Sequence, residues 1–142
     1  MDVRRVTDGF SVSPQVEPED FADLARLGFR HVVNNRPDGE ASGQPTSAAA
    51  EAAASAAGLS YVHAPFAGQP TAAAIETLRE QLASATGPVI AYCRSGTRSI
   101  TAWAVLQASS SRMDVETILQ SARIAGYNLD GLKDYLRNLS RG

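Results

Sequence analysis

Short apolar or β-branched runs alternate with longer stretches of helical period along almost the whole chain, and this alternation leaves few folds open. It is the pattern of strands joined by crossover helices in a mostly parallel sheet, which fixes the class as α/β. Phe10-Ser11-Val12-Ser13 reads as the first strand, and Pro18-Glu19-Asp20 opens a helix with proline at its first turn and carboxylates at its positive end. Phe21, Leu24, Ala25 and Leu27 form the expected buried stripe of that helix, and Gly28 stops it. Phe29 to Asn34 is the second strand, running into an Asn35-Arg36-Pro37-Asp38-Gly39-Glu40 loop. An alanine-rich helix from Ser47 to Ala57 leads to a third strand, Leu59 to Ala64. Thr71 caps a helix extending to about Ala85, with Ile75, Leu78 and Leu82 inward. Val89-Ile90-Ala91-Tyr92 is apolar enough to be a central strand covered on both faces. Helices follow over Ile100 to Ala108, Asp114 to Ala125 and Asn128 to Leu139, the first two separated by a Ser109 to Arg112 linker. No repeat or second domain is visible, so residues 1–142 are expected to form one domain.

A chain of 142 residues has room for one ordinary core. Thirteen basic against fifteen acidic side chains give a net charge of −2, which offers no whole-chain field for nucleic-acid backbones or anionic membrane surfaces. No segment approaches the ~20 apolar residues of a membrane span, and no apolar stretch follows the arginines of Met1-Asp2-Val3-Arg4-Arg5-Val6, so a soluble cytoplasmic protein is expected. The lone Cys93 forms no internal disulfide and no multi-thiolate metal site. No metal cluster, dinucleotide glycine fingerprint or Walker lysine pattern is present, so no cofactor is expected.

Chemistry concentrates in Tyr92-Cys93-Arg94-Ser95-Gly96-Thr97-Arg98-Ser99, between the buried strand and the helix behind it. A short loop from strand end to helix start turns successive backbone N–H groups inward, and the helix dipole adds partial positive charge at the same place. Arg94, Ser95, Gly96 and Thr97 therefore form a candidate anion-binding nest around Cys93. A thiol held there favours the thiolate, which supplies a nucleophile. Arg98 can place a planar fork over a bound oxyanion, and Ser99 can donate to the sulfur. A lone cysteine is otherwise a small buried hydrophobe, but the order of strand, cysteine, glycine-bearing loop, arginine and helix favours function. Arg36, on the loop after the second strand, is a candidate second cation. Asp38 and Glu40 lie at a strand's carboxyl end, where ligands of parallel sheets sit; a solvated turn is the plain alternative. His63 is more simply structural, and Ile100 and Trp103 are core.

The stretch Val89 to Ser99 resembles the cysteine loops of two superfamilies, the rhodanese sulfurtransferases and the cysteine-dependent tyrosine and dual-specificity phosphatases. More closely, the whole chain resembles the beta-lactamase-hydrolase-like family, through Ser11-Val12-Ser13-Pro14-Gln15, Asn34-Asn35-Arg36-Pro37-Asp38-Gly39-Glu40, Gly43-Gln44-Pro45 and Ala125-Gly126-Tyr127. That likeness implies a phosphatase-like, mostly parallel sheet of four to five strands flanked by helices. It also implies a domain that elsewhere is fused to a persulfide dioxygenase, a possible partner here, and members described both as phosphatase-like and as sulfur transferases.

Two departures from the phosphatase pattern make sulfur transfer the leading expectation. Four residues separate Cys93 from Arg98, where phosphatases of this type have five and rhodaneses four. Phosphoester hydrolysis also needs a proton for the departing alkoxide, and Tyr61 to Ile75 holds neither Asp nor Glu. Sulfite leaving thiosulfate needs no proton. The expected activity is thus transfer of sulfane sulfur from a small anionic donor, through Cys93, to a thiol acceptor. A phosphomonoester hydrolase is the alternative, and a non-catalytic anion-binding module is a third reading.

Overall fold

The computed structural model describes residues 1–141. Strand β1 (Arg4–Thr7) pairs antiparallel with β2 (Phe10–Ser13), and β2, β5 (Val89–Tyr92), β3 (His31–Asn34) and β4 (Ser60–His63) then run parallel in that spatial order. The connections carry α1 (Phe21–Arg26), α2 (Ser47–Ala56) and α3 (Ala72–Ala83), and α4 (Thr97–Ser109), α5 (Val115–Ile124) and α6 (Lys133–Arg141) complete the chain. This is the expected α/β fold with a mostly parallel sheet.

All four residues of β5 are buried, as its unbroken apolar run requires of a central strand. Val89 and Ala91 face one core, under α3 to α6, while Ile90 and Tyr92 face the other, under α1 and α2. The larger core is anchored by Trp103 of α4, 1% exposed and stacked on Phe10 with ring centroids 6.1 Å apart. Thr46, Thr71 and Asp114 cap α2, α3 and α5, each side chain accepting from an N–H in the first helical turn. No helix among the described residues is long and apolar enough to cross a membrane.

Several boundaries differ from the sequence reading for physical reasons. Strand β1 was not expected, because an edge strand with one antiparallel neighbour needs no apolar alternation: Arg4 pairs with Val12 and Arg5 with Ser11. Leu27 is not part of the buried stripe but 64% exposed. Helix α1 ends one residue earlier, and the turn through Gly28 at φ 101° carries the chain inward only at Phe29, whose N–H donates to Leu24 O. The second strand begins at His31 rather than Phe29, α3 stops at Ala83, and the last helix begins at Lys133 after a 3₁₀ turn at Asp130–Leu132. Most consequential for the site, α4 starts at Thr97 instead of Ile100, which places Thr97, Arg98 and Ser99 in its first turn.

Candidate active site

The sheet register sets the site's floor. Ser13 and Asn34 both lie beside Tyr92, so β2, β5 and β3 end at one level and release the chain at one edge. Backbone bonds hold those exits together: Asn35 N–H donates to Tyr92 O (2.8 Å), Gln15 N–H to Arg94 O (3.2 Å) and Phe66 N–H to Asn35 O (3.2 Å). Cys93 follows directly, fully buried.

The loop turns around the sulfur. Gly96 caps α4 with φ 94°, in the left-handed region that glycine enters without strain. Its N–H donates to Cys93 Sγ at 3.1 Å. The sulfur therefore meets an amide and the positive end of a 13-residue helix together. Arg94, Ser95 and Thr97 are exposed on the outer side of the loop, where the Ser95 hydroxyl donates to Thr97 Oγ1 at 3.1 Å.

Arg98 reaches across to the loop after β3. Its two terminal nitrogens donate to the two oxygens of Glu40 at 2.8 Å each, and Nη1 also donates to Phe66 O at 3.1 Å. Glu40 is shared, because Arg36 Nε donates to Oε1 at 2.9 Å while Arg36 Nη1 donates to Gln15 Oε1 at 2.9 Å. Arg36 is only 5% exposed, so its charge is held inside the protein by these partners. Hydrogen bonding from Arg98, and secondarily from Arg36, pulls the Glu40 carboxyl down to about 2. Arg98 is raised in turn, chiefly by its bond to Glu40, with a smaller contribution from nearby Cys93. Glu40 is thus an ionised clamp between two guanidiniums and holds no proton at neutral pH.

Several candidate residues sit differently from expectation. The Ser99 hydroxyl donates to Asn35 Oδ1 at 2.8 Å instead of to the sulfur, and Asn35 Nδ2 continues to Ala64 O at 3.0 Å. This buried chain ties α4 to the β3 exit. Asp38 is exposed, and its Oδ1 accepts from Ser47 N–H at 2.8 Å, at the positive end of α2 rather than at the cysteine loop. Arg36 does join the cluster, but as a buried partner of Glu40. His63 Nε2 bonds Arg36 O at 2.8 Å, a structural role as expected. Gln15, Asn35 and Tyr127, whose hydroxyl donates to Ser95 O at 3.0 Å, were not singled out by chemistry. Each stands inside one of the short motifs that carried the family resemblance.

The sequence pattern of the beta-lactamase hydrolase-like protein, phosphatase-like domain, matches residues 2–110. The chain belongs to this family. A beta-lactamase hydrolase-like protein of Agrobacterium fabrum is 33% identical over 137 residues, covering 96% of this chain and 32% of the relative. The chain thus spans about a third of the length of that longer family member. A crystal structure from Neisseria meningitidis Z2491, provisionally described as a phosphatase, is 32% identical, with a TM-score of 0.85 over 98% of this chain and 99% of that one. Tk-PTP in its active form shares the fold alone, with 17% identity and a TM-score of 0.72 over 99% of this chain and 97% of its own. The fold is accordingly shared with Tk-PTP, in a family whose matching domain is described as phosphatase-like.

Proposed function

We propose that this chain is a cysteine-dependent phosphomonoester hydrolase that acts through a phosphocysteine. The observation that carries this reading is the loop itself: a buried thiol at the start of α4, an amide N–H on its sulfur and a guanidinium anchored nearby, in a family whose fold is phosphatase-like. The Cys93 thiolate attacks phosphorus, an S–P bond forms, and the ester P–O bond breaks with its electron pair leaving on the alkoxide. Loop N–H groups and Arg98 hold the non-bridging oxygens, where charge is concentrated. Water then attacks phosphorus, the S–P bond breaks, and phosphate departs as the thiolate is restored. Arg98 presents its terminal nitrogens to Glu40 and Phe66, so substrate either engages the remaining Nε or displaces the carboxylate.

The protonation pattern narrows the substrate. Glu40 is ionised and Asp38 bonds the start of α2, so neither is arranged to protonate a departing alkoxide. Esters whose leaving group is stable as an anion, aryl phosphates above all, are therefore the favoured class. The test is phosphate release from an aryl phosphate and an alkyl phosphate, with acid-quenched protein examined by mass for phosphocysteine. Turnover of the aryl ester, a trapped adduct, and loss of both in Cys93→Ser are the expected results; an aryl ester left intact overturns the proposal.

Sulfur transfer stands as a second reading, favoured by the four-residue spacing between Cys93 and Arg98 and by the absence of a free acid on the Arg36–Glu40 loop. In that reaction Cys93 attacks the sulfane sulfur of thiosulfate, an S–S bond forms, and sulfite leaves with the electron pair of the broken S–S bond. An acceptor thiol then takes the terminal sulfur, and a persulfide dioxygenase is the partner this reading calls for. Thiosulfate loading that adds one sulfur to Cys93, in a protein inert toward aryl phosphate, selects it.

A further inference from the structure

Tyr127 lies in the turn after α5, more than thirty residues beyond Cys93, and takes no part in the reaction as described. Its hydroxyl nevertheless donates to Ser95 O at 3.0 Å. Ser95 O and Gly96 N belong to one peptide group, and that Gly96 N–H is the donor to Cys93 Sγ at 3.1 Å. In a trans peptide the C=O and N–H point in opposite directions. Holding the carbonyl outward on Tyr127 therefore aims the N–H inward at the sulfur.

We infer that Tyr127 is a positioning residue that locks the Ser95–Gly96 peptide in the orientation that serves the nucleophile. The need for an outside lock follows from the glycine. Rotating this peptide changes φ of Gly96, and glycine occupies positive and negative φ about equally, so the loop backbone does not select the observed 94° unaided. A reversed peptide would turn a carbonyl oxygen toward a thiolate and toward the substrate's oxyanion, removing a donor and adding repulsion.

The lock is itself braced. Arg4 of β1 packs over the Tyr127 ring at 5.3 Å and donates from Nη1 to Ala125 O at 3.1 Å. A Cβ on Gly96 would lie 2.0 Å from the Tyr127 hydroxyl and 2.9 Å from its ring carbon Cζ, and Gly126, at φ 97°, holds the left-handed conformation that side chains rarely adopt. Partial burial raises the Tyr127 phenol above its ordinary value, which keeps its proton available for donation. The edge strand, the α5 turn and the cysteine loop are thus one mechanical unit. This gives the Ala125-Gly126-Tyr127 motif a physical role.

The inference rests on Cys93 being the nucleophile of the proposed reaction, and Tyr127→Phe tests it separately from the identity of that reaction. The variant removes one oxygen and leaves the ring under Arg4. Other charged groups near the loop are Arg94, Arg98 with its partners Glu40 and Arg36, and Arg4 with Asp2; the variant alters none of them. Alkylation of Cys93 by iodoacetamide is followed from mildly acidic to alkaline pH, alongside aryl phosphate turnover. The expected result is a roughly fivefold slower alkylation on the rising limb of the pH profile that converges on wild type where the rate levels off, because one donor to the thiolate corresponds to about 1 kcal/mol. Turnover falls with it. Equal alkylation at every pH, or a uniform slowing that signals altered access, overturns the lock. The pH-selective loss in a protein that hydrolyses no phosphate ester would retain the lock and reject the phosphatase reading.

Discussion

Replacing Glu40 with glutamine keeps the length of the side chain and one acceptor oxygen but removes the charge shared by Arg98 and Arg36. The carboxyl titrates at about 2 in the folded protein against an ordinary value of 4.5. At ~1.36 kcal/mol per pKa unit, this sets a ceiling of about 3.4 kcal/mol on the stability the charge contributes. Solvent reaches the cluster, since the Glu40 and Arg98 side chains are 25% and 19% exposed. Screening therefore reduces the expected loss in Glu40→Gln to about 1.5–2 kcal/mol near neutral pH. The sign is that of a carboxylate with a lowered folded pKa: its contribution is complete above the unfolded value of 4.5 and disappears as pH falls toward about 2. Urea unfolding followed by the fluorescence of Trp103, the single tryptophan, gives the difference between the two proteins directly. That difference should shrink by more than half between about pH 5 and about pH 3. A difference that stays level over this interval, or one below about 0.5 kcal/mol at neutral pH, would show that Glu40 is not the charged clamp described here.

Arg98→Lys retains the charge but cannot span both Glu40 oxygens and a substrate oxyanion with a planar fork, so kcat/KM for an aryl phosphate should fall more than tenfold, equivalent to about 1.4 kcal/mol. Near-normal kinetics would make Arg98 a purely structural residue. Ser99→Ala leaves Asn35 Oδ1 without its hydroxyl donor in a fully buried setting, and thermal unfolding should report a loss of about 1–3 kcal/mol. Alkylation of Cys93 in that variant should stay within a few-fold of wild type; a large loss of thiol reactivity without destabilisation would restore the contact between Ser99 and the sulfur.

The strand run Val89 to Tyr92, the Thr71 cap and the cysteine loop were legible because each is encoded locally: a fully apolar strand, a threonine ahead of a helical period, a glycine between cysteine and arginine. The edge strand β1 was not, because its pairing with β2 is specified by the partner and not by a pattern of its own. The same division runs through the site. That Cys93, Gly96 and Arg98 share one loop follows from sequence adjacency. That Arg98 bonds Glu40, fifty-eight positions away, and Ser99 bonds Asn35, sixty-four away, follows only from the register that brings the ends of β3 and β5 level. An arginine fork and a serine hydroxyl beside a thiol invite assignment to the sulfur or its ligand. In the folded chain, nearer partners from another loop already satisfy them.

This rearrangement bears directly on the chemistry. A loop with an acid held protonated beside the thiolate would activate poor leaving groups, since the proton would neutralise the departing alkoxide as the bond breaks. Here the carboxylate at the rim is kept charged by two guanidiniums, one of them buried, and the site disfavours its protonated form. Cationic groups and amide N–H groups remain to stabilise negative charge on a substrate's oxygens. Reactions served by such a site are those in which the substrate is a small, highly charged oxyanion and the leaving group departs as a stable anion. Aryl phosphates meet both conditions through the phenolate, and thiosulfate meets them through sulfite. The two activities therefore make the same demand on Cys93, Arg98 and Glu40, and what separates them is the size of the cradle between Cys93 and Arg98, which must fit either a tetrahedral phosphoryl group or a single sulfur atom.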